Sequence, residues 1–216
     1  PPFEEAWRQL DITNDDFIRT TSERHKLGAK RLWEKLEASG DIYLADYEDW
    51  YCVGCESFKT EKELLPGNIC PDHKKPVEKI REQSYFFKLS AYQDKLLAYY
   101  DANPDFVKPE GRFNEVKSFV RAGLKDLSIS RSSFSWGIPV PNEPKHVMYV
   151  WLDALTNYVS ALGGPAEPGE APLFDQFWGA DANIVHIVGK DILRFHTIFW
   201  PAFLMSAKLP IMDRVF

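Results

Sequence analysis

The sequence lacks the features of a membrane protein, of a secreted protein and of an electrostatic nucleic-acid binder. No stretch approaches the roughly 20 consecutive apolar residues that a membrane-spanning helix needs. The segment Pro1–Glu5 contains neither a basic nor an apolar run, so no signal peptide is visible and we expect a cytoplasmic protein, with an organellar location as the open alternative. A formal net charge of −6, without a long basic run, argues against nonspecific binding of nucleic acid by this chain alone.

Cysteine is scarce: the chain has three, an odd number that argues against a closed disulfide framework. A C-x2-C pair, Cys52 and Cys55, is separated by fourteen residues from a C-x2-H pair, Cys70 and His73. Two residues between ligands let one tight turn direct both side chains at the same ion. Three thiolates and one imidazole form the closed tetrahedral shell of a structural Zn²⁺, and leave no open position for catalysis. The alternative is a set of thiols unrelated to metal in a reduced protein.

Two segments have the pattern of a buried strand followed by a helix. The run Ile184–Val188 is apolar except for one histidine, and an amphipathic helix is predicted to begin at Asp191, after Gly189. The run Val147–Trp151 precedes a second predicted helix with Asp153 at its start. In parallel α/β sheets, ligands bind at the carboxyl ends of such strands, where a carboxylate can hold a sugar hydroxyl. The alternative is two ordinary βα units with aspartate as the helix N-cap.

The two predicted helices carry aromatic and apolar side chains at helical spacing. If neighbouring strands bring both helix starts to one crevice, Trp151, Leu155, Tyr158, Ile192 and His196 form a slot. Aromatic faces in such a slot suit a thioether, because sulfur gains from contacts with aromatic rings. The alternative is that these side chains only pack helix against sheet.

The remaining pattern indicates a module inserted into an α/β domain. Residues 133–216 carry the two strand–helix units, whereas the middle of the chain is rich in helices and holds the cysteines. We therefore expect two pieces of an α/β domain, 1–40 and 133–216, with a module at 41–132 between them. Asp213–Phe216 has the composition of the beginning of a further strand.

Several of these motifs resemble those of one known family. Val150-Trp151-Leu152-Asp153-Ala154, Val188-Gly189-Lys190-Asp191-Ile192 with Phe195-His196, and Trp136-Gly137-Ile138-Pro139-Val140-Pro141 are similar to motifs of the methionyl-tRNA synthetases. These are class I aminoacyl-tRNA synthetases, and the resemblance extends along essentially the whole chain. It implies a Rossmann-type catalytic domain with a parallel sheet, interrupted by a connective-peptide insertion with a single zinc knuckle.

The resemblance also implies roles for individual residues. The adenosine ribose of ATP would contact Gly189 and Asp191, and Trp200 and Phe195 would belong to an aromatic shell that repacks when methionine binds. The methionine side chain would be bound by Trp151, Ala154, Leu155, Tyr158, Ile192 and His196. Leu155 departs from members with proline there, which weakens that one assignment. The substrates would be L-methionine, ATP with Mg²⁺, and tRNA(Met).

Two signatures of class I synthetases do not occur in the 216 residues. These are the His-x-Gly-His motif, which contacts the ATP phosphates, and the Lys-Met-Ser-Lys-Ser loop, which stabilises the transition state. We expect them in parts of the same synthetase upstream of Pro1 and downstream of Phe216, so that no catalytic residue lies in this chain and the chain alone is inactive. Two other functions remain open: a class I synthetase for another apolar amino acid, and a non-enzymatic zinc-knuckle module that binds RNA.

Overall fold

The computed structural model describes residues 2–54, 57–59, 61–133 and 135–216. Within these ranges no helix combines the length and the apolar character needed to cross a bilayer. The described residues contain seven α-helices: α1 (Pro2–Gln9), α2 (Glu23–Ala38), α3 (Gln93–Ala102), α4 (Glu110–Arg121), α5 (Val150–Ser160), α6 (Pro172–Phe177) and α7 (Trp200–Ser206). They also contain nine strands: β1 (Ile42–Cys52), β2 (Ser57–Lys59), β3 (Glu78–Phe87), β4 (Leu127–Ser128), β5 (Ser130–Arg131), β6 (Pro139–Val140), β7 (Glu143–Met148), β8 (Val185–His186) and β9 (Arg214–Val215).

An antiparallel sheet with the order β2-β1-β3-β4 lies entirely inside the predicted insertion. Its long pair runs from Ile42 opposite Phe87 to Tyr51 opposite Glu78. The aromatic and β-branched residues of β1 favour a strand. The boundaries of the insertion itself stay a prediction.

The parallel part of the fold is small. Strand β8 pairs in parallel with β9, and Val107 forms a parallel bridge to Val215 on the other side. The strand expected near the end of the chain is thereby confirmed. The expectation that Ile184–Val188 is buried throughout was wrong, because Val185 is 41% and Ile187 is 77% exposed. The side chains of this segment alternate between its two faces, and the histidine, His186, is on the buried one.

The strand before Trp151 is not parallel. Strand β7 pairs antiparallel with both β5 and β6, and its chain continues through Tyr149 into α5. Trp151 therefore lies in the first turn of a helix that begins at Val150, and not at the end of a strand. An apolar run indicates burial but does not reveal the direction of its neighbours, which is why the sequence pattern was misread.

The segment after Gly189 is helical but irregular. A 3₁₀ turn at Lys190–Ile192 is followed by a π-helical turn at Phe195–Phe199 and then by α7. Pro201 has no N–H to offer to a preceding carbonyl. The carbonyl of Thr197, four residues earlier, instead accepts a hydrogen bond of 2.6 Å from the Tyr100 hydroxyl. The prediction of a regular helix beginning at Asp191 was therefore wrong, because its first turns are 3₁₀ and π-helical. Neither Asp153 nor Asp191 is an N-cap, since those positions belong to Tyr149 and Gly189.

One hydrophobic core joins the predicted insertion to the flanking segments. It includes Trp33 of α2, Tyr100 of α3, Val116 of α4 and Trp200 of α7, each at most 1% exposed. A separate small cluster consists of Cys52, Cys70 and Val77, and we call this part of the chain the cysteine unit. Of the insertion, α3 and α4 are therefore integrated into the main core, whereas the cysteine unit has its own packing.

Helices α2 and α5 approach each other closely at a glycine. A Cβ atom on Gly28 would lie 2.6 Å from Cβ of Ser160 and 2.7 Å from the carbonyl oxygen of Gly164. Ordinary Cβ contacts are longer than 3 Å, so only glycine permits this separation of the two helices. The position of α5, which carries four of the candidate site residues, depends on this contact.

We expect Gly28→Ala to destabilise the protein by about 1–3 kcal/mol, the usual cost of overpacking a core. Gly111→Ala is the matched control, because Gly111 lies in the first turn of α4 and a Cβ there would have nothing within 4 Å. Alanine favours a helix, so this substitution should be neutral or stabilise the fold by up to about 1 kcal/mol. Urea denaturation followed by tryptophan fluorescence measures both, and equal stability of the two variants would contradict the close packing.

Candidate active site

Helix α5 presents four of the candidate residues on one face. Trp151, Ala154, Leu155 and Tyr158 follow the i, i+3, i+4, i+7 spacing of a single helical stripe. Leu155 is only 1% exposed and belongs to the core, so it lies behind the other three, which are partly exposed. The structure thus places these side chains together along one surface of α5.

A hydrogen bond joins α5 to the helical segment after Gly189. The Tyr158 hydroxyl lies 2.6 Å from Nε2 of His196, and Nδ1 of His196 lies 2.9 Å from the carbonyl oxygen of Ile192. A carbonyl can only accept, so Nδ1 carries the proton and Nε2 accepts from Tyr158. Burial lowers the pKa of His196 and raises the pKa of Tyr158 to about 12, so both groups are neutral.

Aromatic rings of the segment after Gly189 pack against this surface of α5. Trp151 stacks on Phe195 with ring centroids 3.5 Å apart and planes 8° from parallel, and Phe195 meets Phe199 edge to face at 5.4 Å. Trp200 is fully buried beneath, with its ring centroid 6.3 Å from that of Tyr158. The structure therefore brings the two predicted groups of residues into one aromatic cluster, as the sequence pattern suggested.

His186 belongs to the same cluster, although the sequence pattern did not predict a site role for it. Its ring stacks on that of Tyr158 at 4.0 Å and lies 6.0 Å from that of Trp178. It is 4% exposed, and neither ring nitrogen has a hydrogen-bond partner among the described residues. Burial lowers its pKa to about 3, so the ring is neutral. Its signal in the sequence was that it is the one polar residue in the run Ile184–Val188.

The candidate ribose residues lie beside this cluster at the surface. Asp191 is exposed, and its Oδ1 is only 2.7 Å from where a Cβ on Gly189 would be, so glycine lets the carboxylate fold against the backbone. A cavity of about 400 Å³ separates this turn from α4 and is lined by Asp191, Arg194, Phe195 and Phe119. A carboxylate at the edge of a cavity can accept hydrogen bonds from two adjacent hydroxyl groups.

Three of the four predicted metal ligands converge. The ligand atoms of Cys52, Cys70 and His73 lie within 4.8 Å of one another, and Cys52 Sγ is 3.8 Å from His73 Nδ1. A hydrogen bond from the backbone N–H of His73 is the largest of the contacts that lower the pKa of Cys70, to about 6. Cys55, the fourth predicted ligand, lies outside the described residues. Thiolate and imidazole donors at this separation fit Zn²⁺.

The comparisons with known proteins agree on one family. A family model described as tRNA synthetases class I (M) matches residues 2–79 and 67–216. The chain is 53% identical over 212 residues to a methionine–tRNA ligase of Caldanaerobacter subterraneus, covering 98% of the chain and 32% of that protein. It is 54% identical over 216 residues to one of Streptomyces coelicolor, covering 97% of the chain and 39% of that protein. The chain thus spans only 32% to 39% of the length of these two relatives.

Solved structures of methionyl-tRNA synthetase have a fold similar to that of this chain. The Mycobacterium tuberculosis methionyl-tRNA synthetase in complex with methionyl-adenylate superposes with a TM-score of 0.88 at 51% identity, covering 99% of this chain and 42% of that one. The apo form of the same enzyme gives a TM-score of 0.87 at 50% identity, covering 99% and 43%. At this identity and coverage, the class I synthetase fold applies to the whole chain.

We expect the stability of the fold to fall as the pH falls from 7 to 5, in part because of His186. Its pKa is about 3 in the folded protein and 6.5 in an unfolded chain, so between these values the unfolded state binds more protons. Stability then rises with pH, by at most about 1.4 kcal/mol per pH unit for this group. His186→Phe should keep the stack on Tyr158 and reduce the slope in urea denaturation.

The control for this substitution is His146→Phe. His146 is also buried, at 6% exposure, but its Nδ1 lies 3.1 Å from the Ser130 hydroxyl. Replacing it leaves that hydroxyl without this partner and should lower stability at pH 7 by about 1–3 kcal/mol. His186→Phe should not lower it, because both nitrogens it removes are unsatisfied by described residues. An unchanged pH slope in His186→Phe would contradict the neutral, buried imidazole.

Proposed function

Since the chain belongs to the family of class I tRNA synthetases (M), we propose that it is the central part of the catalytic domain of a methionine–tRNA ligase. The whole enzyme activates L-methionine with ATP and transfers the methionyl group to tRNA(Met). A non-enzymatic zinc-knuckle module does not fit membership in a synthetase family. A synthetase for another apolar amino acid is disfavoured, since the relatives described above are methionine–tRNA ligases.

The observation that carries this proposal is the aromatic cluster of Trp151, Phe195, Tyr158 and Trp200, which the Tyr158–His196 hydrogen bond joins to the segment after Gly189. The only proton of the Tyr158 hydroxyl is donated to His196, and the N–H of His196 is donated to a backbone carbonyl. The slot therefore offers aromatic faces and no charge to a side chain that enters it. A long, unbranched thioether fits such a surface, because sulfur gains about 0.3–1.5 kcal/mol from each aromatic contact.

In the proposed binding mode, the methionine side chain contacts Trp151, Ala154, Tyr158, Ile192 and His196, and Leu155 supports them from the core. One carboxylate oxygen of methionine attacks the α-phosphorus of ATP, the bond to the bridging oxygen of the β-phosphate breaks, and pyrophosphate leaves. A ribose hydroxyl at the 3′ end of the tRNA then attacks the carbonyl carbon, and AMP leaves. Neither step needs a covalent bond to the protein, so the contribution of this chain is to position the substrates.

The proposed ATP contacts are Gly189 and Asp191. The exposed carboxylate of Asp191 accepts hydrogen bonds from the two ribose hydroxyls, and Gly189 allows the ribose to approach the backbone. Mg²⁺ accompanies the ATP phosphates, as is general for enzymes that use ATP. The geometry that supports this assignment is the cavity of about 400 Å³ beside Asp191.

We expect the full-length protein to catalyse methionine-dependent exchange between pyrophosphate and ATP. Trp151→Ala should lower the kcat/KM for methionine at least about 100-fold, because it removes the stacking partner of Phe195 and one wall of the slot. Near-normal methionine activation by this variant would place the amino-acid site elsewhere.

The ribose contact has a separate test in the same assay. Asp191→Ala should raise the KM for ATP about tenfold or more and leave the KM for methionine within about twofold, since a charge-assisted hydrogen bond contributes about 1.5–3 kcal/mol. The control is Asp181→Ala, which removes another exposed carboxylate, on the N-terminal side of β8. It should change neither Michaelis constant. An equal rise of both Michaelis constants in Asp191→Ala would indicate a structural role instead.

We also propose that Cys52, Cys55, Cys70 and His73 bind one structural Zn²⁺. Gly54 supports this, because a side chain there would lie 2.6 Å from Cδ2 of His73 and would displace the imidazole. The ion would stabilise the fold of the cysteine unit, whose own hydrophobic cluster is small. In the proposed enzyme it takes no part in bond making.

Elemental analysis of the full-length protein should find one zinc per chain, and Cys70→Ser should lose it. Loss of a structural zinc can remove on the order of 10 kcal/mol of local folding free energy, so the cysteine unit should become sensitive to proteolysis. The control is Asp72→Ala, which should keep the zinc. Asp72 lies between the ligands Cys70 and His73, but its carboxylate forms an ion pair of 2.9 Å with Lys59. Full zinc content in Cys70→Ser would exclude the site.

A further inference from the structure

His25 connects two distant points of α5. Its ring is completely buried, with Nε2 2.6 Å from Oδ1 of Asp153 and Nδ1 2.8 Å from Oγ of Ser160. Asp153 and Ser160 are seven residues apart, close to two turns, so they lie on the same side of the helix. One imidazole from α2 is therefore bonded to both ends of the face that α5 turns toward it.

The direction of these hydrogen bonds follows from the partners. An ionised carboxylate can only accept, so Nε2 of His25 donates to Asp153. In the neutral ring Nδ1 then has no proton and accepts from the Ser160 hydroxyl. Each nitrogen thus has one partner, and rotation of the ring by 180° would put a carbon atom in place of a nitrogen at both contacts. This arrangement orients the imidazole, and through it α5, without ambiguity.

The other side of α5 carries the slot. At 3.6 residues per turn, Asp153 points about 200° away from Trp151, on the opposite side of the helix axis. Ala154 and Tyr158 share the side of Trp151. A rotation or shift of α5 about its contact with His25 would move all of these side chains together, and with them the Tyr158 end of the hydrogen bond to His196.

We infer that His25, with Asp153 as its partner, is a positioning residue that sets the orientation of α5 and thereby the affinity for the amino-acid substrate. The inference rests on the proposed function for the identity of that substrate. His25 does not touch the slot and acts only through the helix. Gly28, one turn later on α2, holds the two helices at close distance, so His25 selects the rotation and axial position of α5 at a separation already determined by packing.

A feature of Asp153 distinguishes this pair from packing alone. Its side chain is 17% exposed, whereas that of His25 is 0% exposed, so the pair lies at the boundary between core and solvent. The exposed part of Asp153 borders a cavity of about 250 Å³ with Thr20 and Trp136. A carboxylate at such a boundary contributes little hydrophobic burial, and its hydrogen bond to His25 accounts for its orientation.

The test uses the full-length protein and the methionine-dependent exchange of pyrophosphate with ATP. His25→Ala and Asp153→Ala should each raise the KM for methionine about tenfold or more, and leave the KM for ATP within about twofold, because small misplacements of binding groups have large effects. Asp153→Asn keeps an oxygen that can accept from Nε2, and should restore the KM for methionine to within about threefold of wild type. Ser160→Ala removes only the second contact and should give an intermediate value.

His146→Ala is the matched control, because it removes another buried, hydrogen-bonded histidine that is not bonded to α5. It should lower the thermal midpoint and leave both Michaelis constants unchanged. If His25→Ala does not fold, the comparison of Asp153→Ala, Asp153→Asn and Ser160→Ala decides the same question. A wild-type protein without methionine-dependent exchange would overturn the proposed function. An active wild type together with His25 and Asp153 variants whose two Michaelis constants are unchanged, or change equally, would overturn only the positioning role.

Discussion

The close contact between α2 and α5 is the constraint on which the rest of the site depends. Gly28 lets the two helices approach to a distance that no other residue permits, and the imidazole of His25 bonds to α5 at that distance. Because α5 is held on one side in this way, its opposite side presents Trp151 and Tyr158 in defined positions. The contact joins residues more than 120 positions apart, so it exists only in the folded chain.

The slot itself is built from polar groups that satisfy one another. Tyr158 donates to His196, which donates to a backbone carbonyl, and burial keeps both side chains neutral. In a medium of low dielectric constant, an unpaired charge would be costly, and a paired neutral network is not. His186 is the exception, since its nitrogens have no partner among the described residues. The network leaves aromatic faces as the main surface of the proposed methionine site.

The segment predicted as an insertion has two structural roles. Its helices α3 and α4 share the main core, and the Tyr100 hydroxyl donates a hydrogen bond to the Thr197 carbonyl in the π-helical turn Phe195–Phe199. That turn carries His196, so the insertion helps to support the slot. The cysteine unit, in contrast, packs around its own small cluster, where a bound ion would compensate for the lack of apolar area. An insertion in the sequence is therefore only partly a separate unit in space.

The sequence by itself determined what depends on neighbours along the chain. The spacing of Trp151 and Tyr158 places them on one helical face, and the C-x2-C and C-x2-H pairs indicate a metal-binding unit. Only the tertiary structure decided that β7 is antiparallel, that the histidine of β8 is buried while Ile187 is exposed, and that His25 meets Asp153. The physical reason is that strand direction, burial and long-range hydrogen bonds depend on which surfaces meet, and local propensity and periodicity do not contain that information.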